Sequence, residues 1–233
     1  MKLDRLLAKH EGMGRTAALR LIAARRVSVD GAVVVDGHHP VDRFSLVALD
    51  GQPLRSFAEM LCLMLHKPAS WLSATSDPVH PTVINLIDHP QRHELHLAGR
   101  LDRATSGLLL LTNDGRWSKS ITDSGVPKCY LVHTRDPLKT EDIAAFAAGF
   151  HFHTEDITTL PAKLEILDER LARVTLCEGR YHQVKRMFHR VGNRVAALHR
   201  ESIGGLSLPG DLAPGQWRAL TPEERALAVE ITV

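Results

Sequence analysis

The apolar residues of this chain form short runs separated by polar segments, a pattern that predicts many strands and a few helices. Runs that predict strands lie at 61–65, 128–132, 162–166, 173–176 and 195–198, and the four leucines at 108–111 predict a buried strand. Helices are predicted at 116–122, at 140–149 and from 183 onward. The segment Thr221-Pro222-Glu223-Glu224 predicts a last helix, because it combines a capping box with proline at the first helical position.

The first fifty residues have a pattern of their own and predict a small separate unit. Leucines at helical spacing open the chain, and a second helix is predicted from about Arg15 to Arg25. Two valine-rich strands then flank Asp30-Gly31, a dipeptide typical of a tight hairpin turn. Residues 51–59 contain glycine and proline without a clear period and predict a linker. We therefore predict domains at 1–50 and 60–233, joined by residues 51–59.

Composition narrows the class of protein without identifying it. With 233 residues, 44% hydrophobic and 24% charged, the chain has the composition of an ordinary globular protein. It contains neither a long apolar stretch nor the apolar core of a signal peptide, so we expect a cytoplasmic protein without membrane contact. The three cysteines are far apart and form no CxxC, and only His151 and His153 are close histidines. Neither disulfides nor a metal site are expected.

The charge is nearly balanced overall, at +2, but its distribution is uneven. Residues 1–26 hold seven Lys or Arg against two acids, and residues 178–200 hold six against Glu178 alone. Acidic residues gather instead between positions 136 and 169. Two basic segments on a nearly neutral chain indicate localised contacts with a polyanion, although each could also be a solvated helix face.

The most informative stretch is residues 99–115, which read GRLDRATSGLLLLTNDG. The polar group formed by Arg100, Asp102, Arg103 and Thr105 precedes the predicted leucine strand and lies between two glycines, which permit a tight backbone path. An aspartate between two arginines is equally compatible with a surface ion pair. The whole stretch, however, resembles the signature of the pseudouridine synthases, in their RsuA-like group. Further similarities are Lys128 with Tyr130, and the block 178–188.

This resemblance implies a fold and an activity. The fold is α+β, with a catalytic domain built on a mixed, mainly antiparallel sheet. The activity is isomerisation of uridine to pseudouridine in RNA without a cofactor, and no P-loop or dinucleotide-binding motif conflicts with it. Asp102 is implied as the nucleophilic carboxylate, either attacking the ribose or assisting departure of uracil. Burial favours the protonated form of a carboxyl group, so a nearby cation is expected to keep Asp102 ionised. By the family pattern this cation is Lys185, with Arg186 as second choice.

The resemblance also implies substrate-contacting residues. Tyr130 is expected to stack on the uracil and to assist the final proton removal, and Arg100 is expected to replace the flipped nucleotide or to bind its phosphate. The first fifty residues resemble the S-four-type RNA-binding module, named after a ribosomal protein, whose basic side chains contact phosphates. The predicted RNA contacts of the whole chain are Arg15, Arg20, Arg25, Arg26, Lys67, Arg180, His182, Gln183, Arg186 and Arg200.

Three functional hypotheses follow from these patterns. The first is an enzyme that modifies ribosomal RNA, acting as a monomer, with an assembling small-subunit particle as the substrate. The small-subunit RNA is preferred to the large-subunit RNA because the chain has an N-terminal RNA module and no long basic tail. The second is a non-catalytic assembly factor that only binds ribosomal RNA. The third is a hydrolase with Asp102 as nucleophile, which is disfavoured because the motif lacks a second carboxylate.

Overall fold

The computed structural model describes residues 1–10, 12–54, 59–123 and 125–231. The chain divides into two compact units, Met1–Met60 and Leu61–Val233. Both contain helices and strands, and the predicted α+β class is confirmed. Among the described residues, no helix is long and apolar enough to cross a membrane.

The smaller unit packs two helices against a four-stranded sheet. Its elements are α1 (Leu3–His10), α2 (Arg15–Ala23), β1 (Val27–Val29), β2 (Ala32–Val33), β3 (Val47–Leu49) and β4 (Gln52–Pro53), with the strand order β2-β1-β3-β4. The predicted hairpin is confirmed, because Asp30 and Gly31 both have positive φ, as a tight primed turn requires. The structure differs from the predicted linker at its start, since β4 pairs with β3. Residues 55–58 of that linker lie outside the described residues.

The larger unit is built on a nine-stranded sheet flanked by four helices. The helices are α3 (Gly115–Thr122), α4 (Thr140–Ala148), α5 (Gln183–Arg190) and α6 (Pro222–Leu227). The strands of this sheet are β5 (Cys62–Lys67), β6 (His96–Leu97), β7 (Ser106–Thr112), β8 (Lys128–Thr134), β11 (Lys163–Asp168), β12 (Leu171–Leu176), β13 (Val195–Ile203), β14 (Leu206–Ser207) and β15 (Trp217–Ala219). Between β8 and β11 in the chain, β9 (His151–Phe152) and β10 (Ile157–Thr158) form a separate two-stranded ribbon.

The main path of this sheet runs in the order β11-β12-β8-β13-β7-β5-β15, while β14 pairs with β13 and β6 pairs with β7. Only β7 and β13 run parallel among these pairs, so the predicted mixed, mainly antiparallel sheet is confirmed. The parallel pair brings the start of β7, which follows the polar group of residues 100–105, beside the middle of β13.

The leucine run at 108–111 is fully buried in β7 because the sheet is covered on both faces. Leu108 and Leu110 belong to one apolar core and Leu109 and Leu111 to another. A strand covered on both faces is apolar at successive positions rather than at alternate ones. This burial fixes the register of β7 and therefore the place where the preceding polar loop emerges.

Candidate active site

A cleft of about 520 Å³ opens in the larger unit at the start of β7. Its walls come from the loop at 99–105, from β8 and β13, and from the turn that leads into α5. Asp102 and Glu178 are its acidic residues, and Glu178 is held by Arg180 and Gln183. The basic residues of the lining are Arg100, Arg103, Lys128, Arg180, His182, Lys185 and Arg200. The cleft therefore surrounds the Asp102 carboxylate with basic side chains, while the Glu178 carboxylate is already engaged by Arg180 and Gln183.

The loop that carries Asp102 is fixed by hydrogen bonds of its own backbone. Ser73 Oγ donates a bond of 2.7 Å to the carbonyl of Leu101 and accepts one of 3.1 Å from its amide. The amide of Thr105 donates to the Asp102 carbonyl at 3.0 Å, which closes a turn. These bonds hold the backbone on both sides of the aspartate. The Asp102 side chain remains about a quarter exposed and faces the cleft.

Lys67 supports the same loop from beneath, which corrects its predicted role as an RNA contact. The residue is fully buried, and Lys67 Nζ donates to the carbonyls of Pro68, Arg103 and Thr105 at 3.0, 3.3 and 2.7 Å. The pKa of Lys67 is lowered to about 8, chiefly by burial; Asp102 opposes this shift, and the cations Arg200 and Lys185 contribute to it. The Lys67 ammonium group, at the end of β5, therefore supports the loop at 99–105 and is not available to contact RNA at the surface.

Two basic side chains approach the Asp102 carboxylate from the segment that begins α5. Lys185 Nζ donates a hydrogen bond of 2.8 Å to Asp102 Oδ2. His182 Nε2 lies 3.4 Å from Asp102 Oδ1. His182 precedes the first residue of α5 and has left-handed backbone angles, φ 51° and ψ 30°, so the chain turns sharply before the helix. This turn places His182 and Lys185 on the same side of the cleft as Asp102.

Tyr130 and Arg200 form the wall of the cleft that the sheet contributes. They are cross-strand partners in β8 and β13, and Arg200 Nη1 lies 3.5 Å from the Tyr130 hydroxyl. The Arg200 side chain is only 3% exposed, and its Nε donates to the Leu108 carbonyl at 2.7 Å. Within the described part of the chain, Arg200 Nη2 has no hydrogen-bond partner. Arg200 is thus a buried part of the cleft wall, and its contact with RNA stays a prediction.

Two more predicted RNA contacts, Gln183 and Arg180, lie in the turn before α5 and at its first residue. Gln183 is 4% exposed, donates to Glu178 Oε1 at 2.6 Å and accepts from the Arg180 amide at 3.0 Å. Gln183 therefore stabilises the turn, and its contact with RNA stays a prediction. Arg180 is exposed on the cleft, where its Nε donates to Glu178 at 2.9 Å.

Arg186 is directed away from Asp102, so its place as second choice for the counter-charge is wrong. Its guanidinium group donates to both oxygens of Glu155, at 2.8 and 2.6 Å, and lies 3.6 Å from the centre of the Phe152 ring. The hydrogen bond from Arg186, aided by one from Thr154, lowers the pKa of Glu155 to about 2. These contacts hold the guanidinium group against β9 and the turn after it and leave it outside the cleft, and its contact with RNA stays a prediction.

The remaining predicted residues lie on exposed surfaces of the two units. Arg100 lines the rim of the cleft and is exposed. In the smaller unit all four predicted arginines are exposed, but two of them form ion pairs: Arg15 Nε lies 2.6 Å from Asp4 Oδ2, and Arg26 Nε lies 2.8 Å from Asp50 Oδ1. Arg20 and Arg25 are exposed on α2 and directly after it.

The structure adds cleft residues that sequence patterns did not assign. Lys128 is 8% exposed and donates to the Ile121 carbonyl at 3.1 Å, and burial lowers its pKa to about 8. Its pairing with Tyr130 in the family pattern was an available signal. Ser73 and Tyr181 carried no comparable signal, because only the folded loops bring them to the cleft. Among the described residues, no three His, Cys, Asp or Glu side chains are grouped so as to hold a metal ion.

The cleft surrounds the Asp102 carboxylate with basic side chains, an arrangement that suits an enzyme with a polyanionic substrate. The profile of the RNA pseudouridylate synthase family matches residues 62–190. The chain is 50% identical over 226 residues to ribosomal small subunit pseudouridine synthase A of Pseudomonas aeruginosa, covering 96% of this chain and 98% of that protein. It is 45% identical over 231 residues to the protein of the same name from Escherichia coli strain K12, covering 98% and 100%.

Among solved structures, the chain is similar to a crystal structure of a pseudouridylate synthase, with a TM-score of 0.71 and 38% identity. This match covers 98% of the present chain and 100% of the other. The chain therefore belongs to the RNA pseudouridylate synthase family, and the family predicted from residues 99–115 is confirmed.

Proposed function

We propose that this protein isomerises one uridine of 16S, small-subunit, ribosomal RNA to pseudouridine, with Asp102 as the nucleophile and without a cofactor. The observation that carries the proposal is the Asp102 carboxylate, fixed by its loop and paired with Lys185 at 2.8 Å inside a cationic cleft. Near full-length similarity to two proteins named ribosomal small subunit pseudouridine synthase A supports the choice of RNA.

The reaction needs one group that acts at the sugar and a pocket that retains the base. The bond between C1′ and N1 breaks, C1′ bonds to C5 of the same uracil, and the C5 proton leaves while N1 gains one. No electron is gained or lost, so the chain's own residues are sufficient for the chemistry. Asp102 either attacks C1′ or assists departure of uracil by removing a ribose proton, and its location in the cleft suits both routes.

The other cleft residues have distinct proposed roles around Asp102. Lys185 compensates the carboxylate charge, since an opposite charge within about 4–6 Å favours the ionised form. Tyr130 stacks on the detached uracil, and its hydroxyl takes part in removing the C5 proton. The Arg200 guanidinium fixes the Tyr130 ring from behind. Arg100, at the rim, contacts the backbone of the flipped nucleotide or fills the space that it vacates.

The proposal extends to the setting in which the enzyme acts. The substrate is the RNA of an assembling small-subunit particle, which places the activity in the cytoplasm. The chain acts as a monomer. The same reaction on 23S, large-subunit, RNA is the alternative within the enzyme class, and it predicts a different modified strand.

The test is the Asp102→Asn variant, which keeps the size of the side chain and removes its charge. Transcribed 16S and 23S RNA, and small-subunit particles reconstituted from the 16S transcript, are incubated with each protein and mapped by carbodiimide-dependent reverse-transcription stops. We expect one new stop in 16S RNA with the unaltered protein and none with Asp102→Asn, while RNA affinity changes little. Asp211→Asn is the matched control, because this aspartate is exposed and lies outside the cleft.

The outcomes separate modification of 16S RNA from modification of 23S RNA, and both from binding without catalysis. A stop in 23S RNA alone would transfer the activity to the large subunit. Equal stops with Asp102→Asn and the unaltered protein would refute the role of the carboxylate. Binding to RNA without a stop under any condition would favour the non-catalytic assembly factor.

A further inference from the structure

Tyr181 is an aromatic side chain at the rim of the cleft that the reaction itself does not use. It is 73% exposed, which is unusual for a ring on a folded and otherwise well-packed turn. The ring is stacked on the imidazole of His182, with centroids 3.9 Å apart and planes inclined by 18°. One face of the tyrosine is therefore covered by His182, and its high exposure leaves the other face open to a ligand.

The turn that presents this ring is rigid before any ligand arrives. The amide of Gln183 donates to the Arg180 carbonyl at 3.2 Å, and the amide of Arg186 donates to the His182 carbonyl at 2.9 Å. The carbonyl of Tyr181 accepts from Arg186 Nη1 at 3.4 Å. Since the backbone is held on both sides, the exposure of Tyr181 is a fixed property of the turn, and stacking on it requires little ordering.

The surroundings of the open face suit a nucleobase better than a protein side chain. Arg180, Arg100 and Arg103 are exposed cations of the same cleft lining. Cations that bind phosphates, placed beside an exposed ring, are the arrangement by which proteins hold unpaired nucleotides. The backing residue, His182, also lies 3.4 Å from Asp102, so a base stacked on Tyr181 would be next to the reacting uridine rather than in its place.

We propose that Tyr181 is the stacking platform for the nucleotide adjacent to the target uridine. When the target base leaves its stack, its neighbour loses a stacking partner, and the tyrosine ring replaces that partner. The His182 imidazole supports the ring from behind. The platform thus holds the neighbouring nucleotide while the target base occupies the cleft, which contributes to the recognition of the modified site. This inference rests on the proposed function, because it needs an RNA substrate at Asp102.

The test uses an RNA fragment around the uridine mapped above, with 2-aminopurine replacing either neighbour of that uridine in turn. Stacking on an aromatic ring changes the fluorescence of 2-aminopurine on binding. We expect this change at one of the two positions with the unaltered protein, its loss with Tyr181→Leu, and its restoration with Tyr181→Phe, which keeps the ring. A fragment with 2-aminopurine far from the uridine is the control for binding alone.

Kinetics provide a second readout that a merely structural role would not produce. A lost stacking contact is expected to raise KM for the RNA fragment roughly 5- to 150-fold in Tyr181→Leu, with little change in kcat, because the contact is present in both ground and transition states. Tyr181→Phe should keep a KM close to that of the unaltered protein. Thermal unfolding should be similar in all three proteins, since the side chain is exposed.

The result that overturns the platform is an unaltered fluorescence change and an unaltered KM in Tyr181→Leu. Loss of the fluorescence change in both variants would also overturn it, since the hydroxyl rather than the ring would then be required. These failures are distinct from failure of the proposed function. In that case the unaltered protein would modify no uridine, and no fragment could be defined.

Discussion

Lys185 and Arg186 are neighbours in sequence, but their side chains contact different partners. Successive residues of a helix point about 100° apart, so only one of the pair can face a given group. In α5 that residue is Lys185, which contacts Asp102, whereas Arg186 contacts Glu155 and the Phe152 ring. Sequence alone ranked Lys185 above Arg186 as the cation beside Asp102. It could not exclude either residue, because the choice depends on the rotation of the helix.

This difference gives a paired prediction for Lys185→Met and Arg186→Met, two variants that each remove one positive charge. Breaking a buried ion pair costs about 3–5 kcal/mol. Asp102 is 24% and Lys185 32% exposed, so we expect loss of the Lys185 charge to raise the activation free energy by less than this, by about 2–3 kcal/mol. Lys185→Met should therefore lower kcat roughly 30- to 150-fold, and Arg186→Met much less. Single-turnover pseudouridine formation, measured on the same 16S transcript, tests both. Equal losses in the two variants would contradict the assignment.

Lys67 shows what a residue pattern cannot indicate about a charged side chain. Lys67 was predicted as an RNA contact because of its charge, with plain solvation as the alternative. In the structure the ammonium group is buried under the loop at 99–105, where three carbonyls accept its hydrogen bonds. Those carbonyls come from residues 68, 103 and 105, so two of the three partners are distant in sequence. Charge alone gave no information about this burial.

At the scale of elements, the contact between β7 and β13 decides where the loop at 99–105 ends. Gly107 has φ 111°, and a Cβ at this position would lie 2.3 Å from the carbonyl oxygen and 2.4 Å from the amide nitrogen of Arg200. Both are backbone atoms of a central strand and cannot move aside cheaply. The glycine that sequence suggested for a tight backbone path is thus required by a close approach between strands.

We predict that Gly107→Ala lowers the free energy of unfolding by at least about 3 kcal/mol, because it combines a strained φ with a clash against backbone. Gly115→Ala is the matched control, since a Cβ there meets no atom within 4 Å and the position is the first of α3. The control should be neutral or gain about 0.5–1 kcal/mol. Urea unfolding followed by circular dichroism measures both. A Gly107→Ala protein as stable as the unaltered one would contradict this account of the strand contact.

Element prediction succeeded where burial follows from local pattern. The apolar run of β7 and the capping box of α6 are both present as predicted. The Asp114 side chain accepts a hydrogen bond from the Arg116 amide and caps α3. The extent of β13 was underestimated, because its polar residues beyond Leu198 extend the strand by pairing with β8. Such pairing is a long-range property, which explains why a run of polar residues concealed it.

At the scale of the whole molecule, the basic residues of interest are divided between the two units. The larger unit contains the cleft with Asp102, and the smaller unit presents exposed arginines on and after α2. Arg15 and Arg26 are engaged with Asp4 and Asp50, so Arg20 and Arg25 are the more available of the four predicted contacts. This distinction among the four arginines could not be derived from sequence, because all of them carry the same charge at similar spacing.

The last prediction concerns the salt dependence of RNA binding. Each phosphate contact that is lost lowers the slope of log K against log salt by about 0.7 for a single strand. If Arg20 and Arg25 each neutralise one phosphate, the double variant Arg20→Gln/Arg25→Gln should flatten that slope by about 1.4 and weaken binding, while kcat at saturating RNA is retained. Lys163→Gln/Arg170→Gln is the control, because it removes the same charge from exposed positions of the larger unit outside the cleft. If both double variants flatten the slope equally, binding responds only to net charge, and the smaller unit is not the anchor. A flattened slope in the arginine variant alone would make the smaller unit the site of phosphate contact.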